Sequence, residues 1–290
     1  MNIQVLHARN KILGEEHPAT ISAKAELACI YSNLGKYTEA EKLKIQVLHA
    51  RNKILGEEHP DAILAIANLA STYRDLGKCT EAEKLNIQIL HARNKILGEE
   101  HPATISAKAE LACTYTNLGK YTEAEKLKLQ VLDARKKLLG EEHLDTIWAM
   151  GNLASIYRDL GKYTEAEKLE IQVLHARNKI LGEEHPDIIW AMENLALTYS
   201  CLGRYREAEK LQIQVLVARN KIFGEEHPDT IKAMGNLACT YRNLEKPTEA
   251  EKLEIHVLDA RKKILGKEHP DTILAMGNLA STYSDLGKYT

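Results

Sequence analysis

Side chains capable of chemistry recur in this chain at a fixed interval. A histidine preceded by glutamate stands at His17, His59, His101, His143, His185, His227 and His269, one every 42 residues. Imidazole beside carboxylate suits a metal, but equivalent positions in stacked helices lie roughly 10 Å apart. Bonds of about 2 Å to one shared ion cannot span that distance, so loop capping or plain solvation is the reading for these rings. A second series is an asparagine ladder, Asn68, Asn152, Asn194, Asn236 and Asn278, replaced by Glu26 and Glu110 in two copies. An amide holds donors and an acceptor together and so matches the alternating groups of an extended peptide backbone. It could equally bond a neighbouring helix and stiffen the contact between copies. Arg74, Arg158 and Arg242 present planar forks to carboxylates, and Trp148 and Trp190, the chain's two tryptophans, are large anchors in adjacent copies. Lys232 occupies the tryptophan position one copy later, and Glu193 lies three residues beyond Trp190.

The arrangement suits recognition better than turnover. Serine, histidine and acidic residues are multiplied by the repeat, and none has a unique setting that marks an activated nucleophile. No H-E-x-x-H, P-loop or glycine-rich phosphate motif occurs. No enzyme, resident metal or cofactor is expected.

Positioning these residues falls to two helices per copy. Over Pro60 to Leu76, the residues Ile63, Ile66, Leu69, Ala70, Tyr73 and Leu76 recur at three- and four-residue spacing, one apolar helix face. Pro60 suits the first turn, and Gly77 ends the helix. Thr80 with Glu83 reads as a capping box opening a second helix, as do Thr38 with Glu41, Thr122 with Glu125, Thr164 with Glu167 and Thr248 with Glu251. The second helix would bury Ala82, Leu85, Ile89, Leu90, Ala92 and Ile96, before Gly98 closes it. Neither helix can bury its apolar face alone, so the copies must stack. The expected fold is therefore all-α, a solenoid of stacked antiparallel helix pairs formed as one array over residues 1–290. Complete copies are 17–58, 59–100, 101–142, 143–184, 185–226 and 227–268, flanked by a second helix at 2–16 and a first helix at 269–290. One copy breaks the pattern, with Glu245 in place of the helix-ending glycine and Pro247 in place of tyrosine. Loss of glycine at a left-handed position costs about 1 kcal/mol, which makes that turn the expected weak point.

Composition removes several functions. Basic residues number 39 against 41 acidic, a net charge of −2, and aromatics are 5%, so neither a global field nor a supply of stacking rings favours nucleic acid. No apolar stretch is long enough for a membrane span, and repeat sequence follows Met1 directly, with no signal peptide. The five cysteines have no C-x-x-C pair, and three of them exchange with serine between copies. A reducing, cytoplasmic setting follows.

The period alone also suits HEAT or armadillo arrays. The pattern Ile66-x-x-Leu69-Ala70-x-x-Tyr73, then Leu76-Gly77-Lys78 and Glu81-Ala82-Glu83, resembles the tetratricopeptide repeat, lengthened from its usual 34 residues. With A-R-x-K-I-L-G-E-E-H-P, it is similar to the repeats of kinesin light chains, and more so to the arrays of fungal and bacterial NB-ARC nucleotide-binding receptors. Two departures stand out. The bulky residue expected four after the second-helix alanine is polar, as Lys44, Asn86, Lys128, Glu170, Gln212 and Glu254, and its apolar role is expected to pass to Ile45 and Ile87. Lys24 and Lys108 replace a large apolar residue of the first helix, which puts the packing of two copies in question.

Copies differ mainly along one first-helix stripe: the series beginning Ser22, Ala25, Cys29 and Ser32, at offsets 0, 3, 7 and 10. The resemblance implies a right-handed superhelical solenoid in which this stripe lines a concave groove and contacts ligand, with the asparagines beside it; free drift of exposed residues is the competing account. Second-helix charges such as Glu83 and Lys84 barely vary, which favours the first account. The expected partner is a protein or peptide segment with apolar and acidic side chains, centred on the two tryptophans, and neither nucleic acid nor membrane. Receptor sensor array, kinesin light chain-like adaptor and enzyme-associated regulatory domain all fit. The chain starts and stops within copies, so a fragment with uncapped ends able to self-associate is also expected.

Overall fold

The computed structural model describes residues 2–182 and 185–288. Among these residues there are fourteen α-helices and no strand. The chain divides into two compact units, Met1–Leu138 and Leu139–Thr290. The first carries α1 (Asn2–Leu13), α2 (Pro18–Asn33), α3 (Tyr37–Leu55), α4 (Pro60–Asp75), α5 (Cys79–Leu97), α6 (Pro102–Asn117) and α7 (Tyr121–Leu139), the last to within one residue of its end. The second carries α8 (Leu144–Asp159), α9 (Tyr163–Leu181), α10 (Pro186–Cys201), α11 (Tyr205–Phe223), α12 (Pro228–Asn243), α13 (Pro247–Leu265) and α14 (Pro270–Asp285). Successive helices pack on one another from α1 to α6 in the first unit and from α8 to α14 in the second. From α2 onward, sixteen-residue first helices alternate with nineteen-residue second helices, as the 42-residue period requires.

The recurring histidines have a structural task. Each is the N-cap of a first helix: Nδ1 of His17, His59, His101, His143, His185, His227 and His269 accepts the main-chain N–H two residues on, at 3.1–3.2 Å. Only a neutral imidazole protonated on Nε2 can accept in this way. Six of these helices then continue with proline, whose missing N–H costs nothing at that position.

The expected capping boxes do not form. Helices α3, α5, α9 and α13 begin at residues 37, 79, 163 and 247, so Thr38, Thr80, Thr164 and Thr248 already sit inside the first turn. The residues at the caps, Lys36, Lys78, Lys162 and Lys246, make no side-chain cap bond. The glutamates meant for those boxes bridge to the next copy instead. Lys78 Nζ donates to both carboxylate oxygens of Glu41 at 2.7 and 2.8 Å, and Lys120 does the same to Glu83. Arg204 repeats the bridge to Glu167, and Lys246 to Glu209. Each such cation also lies 4.5–5.6 Å from the ring centre of its own tyrosine, among them Tyr73, Tyr115, Tyr199 and Tyr241. Burial pushes the hydroxyl pKa of these tyrosines up. Glu83 is thus two-fifths as exposed as its partner Lys120, at 16% against 43%, and its sameness between copies follows from this bridge. That invariance therefore gives no support to a ligand-contact reading of the variable stripe.

A larger correction concerns the second-helix core. Lys44, Asn86, Lys128, Glu170, Gln212 and Glu254 are buried, whereas Ile45 and Ile87 are exposed. One turn separates each polar residue from the fully buried Ala40, Ala82, Ala124, Ala166, Ala208 or Ala250, so helical phase turns it inward. Ile96, expected in the core, is also exposed. Lys108 is buried along its stem and carries its ammonium out to Glu99 at 2.7 Å, so the copy holding it keeps an intact core.

The irregular turn keeps the left-handed backbone that glycine serves in the other copies. Glu245 has φ 54°, the one positive value among the described residues that are not glycine. Pro247 by contrast fits, since it opens α13 at the first helical position. Glu245→Gly is expected to stabilise the chain by about 1 kcal/mol, read as a raised urea midpoint; an unchanged midpoint would mean that the glutamate gains back the strain elsewhere.

Candidate functional site

The variable stripe lies on the first helices, and the residues singled out there divide by what they touch. Three arginines are already engaged. Arg74 pairs with Glu110 of the following copy. Arg158 pairs with the buried Glu170 of its own copy and donates from Nη2 to Asn194 Oδ1 at 3.0 Å. Arg242 Nε lies 3.5 Å from the buried Glu254, and its Nη1 donates to the Asn278 carbonyl at 3.4 Å. Glu193 receives a two-pronged contact from Arg219, at 2.6 and 2.7 Å, and Arg219 reaches Asp229 at 2.9 Å as well.

The asparagines split in the same way. Asn194 accepts from Arg158 and donates to the Trp190 carbonyl at 2.8 Å, so it serves the helix contact. Asn152 is half-buried and engaged as well. The side-chain amides of Asn68, Asn236 and Asn278 make no hydrogen bond among the described residues. Lys232 is exposed and has no ion pair there.

Two hollows receive these groups. In the first compact unit, Asn68 lines one of about 510 Å³ with Glu26, Cys29, Leu64 and Lys44. Lys44 is 8% exposed and donates to Ser32 at 2.9 Å and to Thr72 at 2.6 Å. With hydroxyls but no carboxylate as partners, burial holds its pKa below the usual lysine range. In the second unit, Trp190, Glu193, Asn194, Lys232 and Asn236 share a hollow of about 430 Å³ between α10, α11 and α12.

Trp148 and Trp190 do meet, with ring centres 5.5 Å apart and planes tilted by 35°. Trp190 fits because Gly151 has no side chain: a Cβ there would lie 3.3 Å from the indole. The rings also cover a residue the sequence reading passed over. Arg177 is 2% exposed, stands 5.5 Å from the Trp148 ring centre and 4.8 Å from that of Trp190, and donates to the Asp187 carbonyl at 2.6 Å. The same arginine recurs as Arg51, Arg93 and Arg261, each bonded to the matching carbonyl and none of them buried. A residue that repeats in every copy gave no reason to be picked out, yet its burial is local.

The described residues contain no group of three or more histidine, cysteine, aspartate or glutamate side chains placed to hold a metal, and no helix long and apolar enough to cross a membrane. A family model described as tetratricopeptide repeat matches in overlapping windows, residues 21–86, 62–137, 109–179, 152–216 and 187–263. No curated protein matches the chain in sequence. Among solved structures, a kinesin light chain-like protein of nearly identical repeats from Podosopora anserina shares 33% identity at a TM-score of 0.64, covering 71% of this chain and 98% of its own. A signal transduction ATPase with a tetratricopeptide repeat sensor, from Pyrococcus horikoshii, matches 99% of this chain over 41% of its own, at 18% identity and a TM-score of 0.72. A Rap protein complexed with competence and sporulation factor matches 99% of this chain and 80% of its own, at 12% identity and a TM-score of 0.59.

Proposed function

Since the chain belongs to the tetratricopeptide repeat family, a fold of noncatalytic interaction scaffolds, we propose that its first-helix face binds an extended peptide or protein segment with apolar and acidic side chains. The observation that carries this is the pairing of unbonded amides, Asn68 and Asn236, with exposed apolar side chains, Leu64 and Leu197, in the two hollows. A free amide can bond a peptide backbone, and an adjacent apolar wall can take its side chains. The exposed ammonium of Lys232 supports acidic residues in the partner, whereas Arg158 and Arg242 are neutralised within the chain and contribute little to such a preference.

Photo-crosslinking tests the face. A benzophenone side chain at Leu64 or Leu197 is expected to capture a partner in cells that the same group at Ile45 or Ile171, on exposed second-helix positions, does not. Equal capture from both faces would sink the proposal.

We place the array in the cytoplasm as the sensor of a larger nucleotide-binding receptor. The sequence resemblance supports this, and the archaeal ATPase provides a precedent for the fold in that role. The adaptor reading is favoured by the Podosopora anserina relative, the one neighbour above at 33% identity. Full-length transcripts separate the two: an upstream nucleotide-binding segment supports the receptor, and an upstream heptad coiled coil the adaptor.

A further inference from the structure

At one register position, four residues after the buried alanine, six second helices turn a polar side chain into the interior, and five of the six are engaged there. Lys44 and Asn86 bond threonine hydroxyls, Glu170 and Glu254 face arginines, and Lys128 has a contact of its own. Gln212 is the exception among the described residues. It is 8% exposed, and its Oε1 is shielded from solvent with no donor in reach.

The surroundings explain why no internal donor arrives. Lys44 bonds Ser32 and Thr72, and the equivalents beside Gln212 are Ser200 and Thr240. Ser200 Oγ donates to the Ala196 carbonyl at 3.0 Å, and Thr240 Oγ1 to the Asn236 carbonyl at 3.2 Å, so both protons are spent. Asn243 donates to the Cys239 carbonyl at 2.8 Å, and Arg219 is held by Glu193 and Asp229. A buried acceptor without a donor destabilises a fold, and this one lines the 430 Å³ hollow between α10, α11 and α12.

We propose that this hollow is a specificity subsite for an uncharged primary amide, an asparagine or glutamine side chain of the bound segment. The proposal rests on the peptide-binding reading of the first-helix face. Gln212 lines the hollow, and a turn of its terminal amide brings Oε1 to the opening; a primary amide then donates N–H to Oε1 and accepts from Nε2, which also has no partner, closing a two-bond ring. A carboxylate brings no proton for Oε1. An ammonium brings no acceptor for Nε2 and would enter beside Lys232. A hydroxyl satisfies one atom at a time with less fixed geometry. Trp190 and Leu197 supply the apolar wall for the side-chain stem.

The test uses a phage-displayed library of random dodecapeptides panned on the full chain and on its Gln212→Met variant. Methionine keeps the length and flexibility of glutamine but removes both amide atoms. Peptides selected by the unaltered chain are expected to share asparagine or glutamine at one aligned position, and those selected by Gln212→Met are not. Replacing that residue by leucine in a selected synthetic peptide should weaken binding to the unaltered chain about tenfold, as two lost hydrogen bonds imply, and to Gln212→Met less than twofold. The peptide substitution reads the subsite even if the protein variant folds poorly. Selected peptides with no amide preference, or one that persists in Gln212→Met, would overturn the subsite and leave the groove standing. Failure to select any peptide would overturn both.

Discussion

Arg158→Ala is expected to destabilise the chain by about 3–5 kcal/mol, the cost of stranding a buried carboxylate. Glu170 is 3% exposed, and one of its oxygens already lacks a partner. Burial holds its pKa above the usual carboxylate range, with the Thr198 hydroxyl and Arg158 pulling the other way. A carboxyl whose folded pKa is raised contributes stability that is fully present below its unfolded pKa, about 4.3, and is lost as pH rises through the folded value. Removing Arg158 raises the folded value further. The deficit of Arg158→Ala should therefore be small near the unfolded pKa and reach its full size well above the folded one. Urea unfolding at both ends of that range checks it, and Arg158→Ala with Glu170→Gln should recover much of the loss. A deficit independent of pH would show that Arg158 acts through packing and not through the charge of Glu170.

The second large effect is expected at Arg177. Arg177→Ala removes a stem buried between two indoles, two contacts of cation with ring and a hydrogen bond to Asp187, for about 2–4 kcal/mol together. Arg261→Ala should cost much less, since that side chain is part-exposed and has no ring above it. The chain contains only two tryptophans, and both cover Arg177, so intrinsic tryptophan fluorescence reports this junction alone. Its emission should shift to the red in Arg177→Ala, and its unfolding midpoint should fall more than the midpoint followed by circular dichroism. Repeat arrays permit such a separation, because their stability is carried by neighbouring copies. An unshifted spectrum would mean that the rings hold each other without the guanidinium between them.

The fold was legible because local signals and period agreed: Pro60, Gly77 and Gly98 bound two helices whose apolar faces have one reading. The second-helix cap was misplaced by two residues, at Thr80 where the structure has Lys78, since Thr-x-x-Glu satisfies a capping pattern that here competes with a bridge from Lys120 to Glu83. The polar interior was not legible from hydrophobic periodicity, which counts Ile45 as core and Lys44 as surface. The alanine one turn earlier carried the correct phase. Of the candidate groove, Trp148 and Trp190 were found as a pair because they are unlike their counterparts. Arg177 was missed, since its counterparts are the same residue and only its burial differs; Gln212 was legible as a polar departure but not as a lining residue, since an unpartnered Oε1, and not burial, sets it apart from its equally buried counterparts.

The buried row also limits how this sequence can have grown. Arg158 and Glu170 lie in one 42-residue copy, as do Arg242 and Glu254, while Ser32 accompanies Lys44 and Ser200 accompanies Gln212. Recombination with breakpoints at the histidine caps passes each pair on intact. A crossover at the turn between the two helices could join Arg158 to a buried lysine, or leave Glu170 facing a serine. The turn sequence Leu-Gly-Lys is nearly the same in every copy and so invites crossover at the one place where the products would be least stable. Duplication by whole copies, in this phase, is the route that leaves viable descendants.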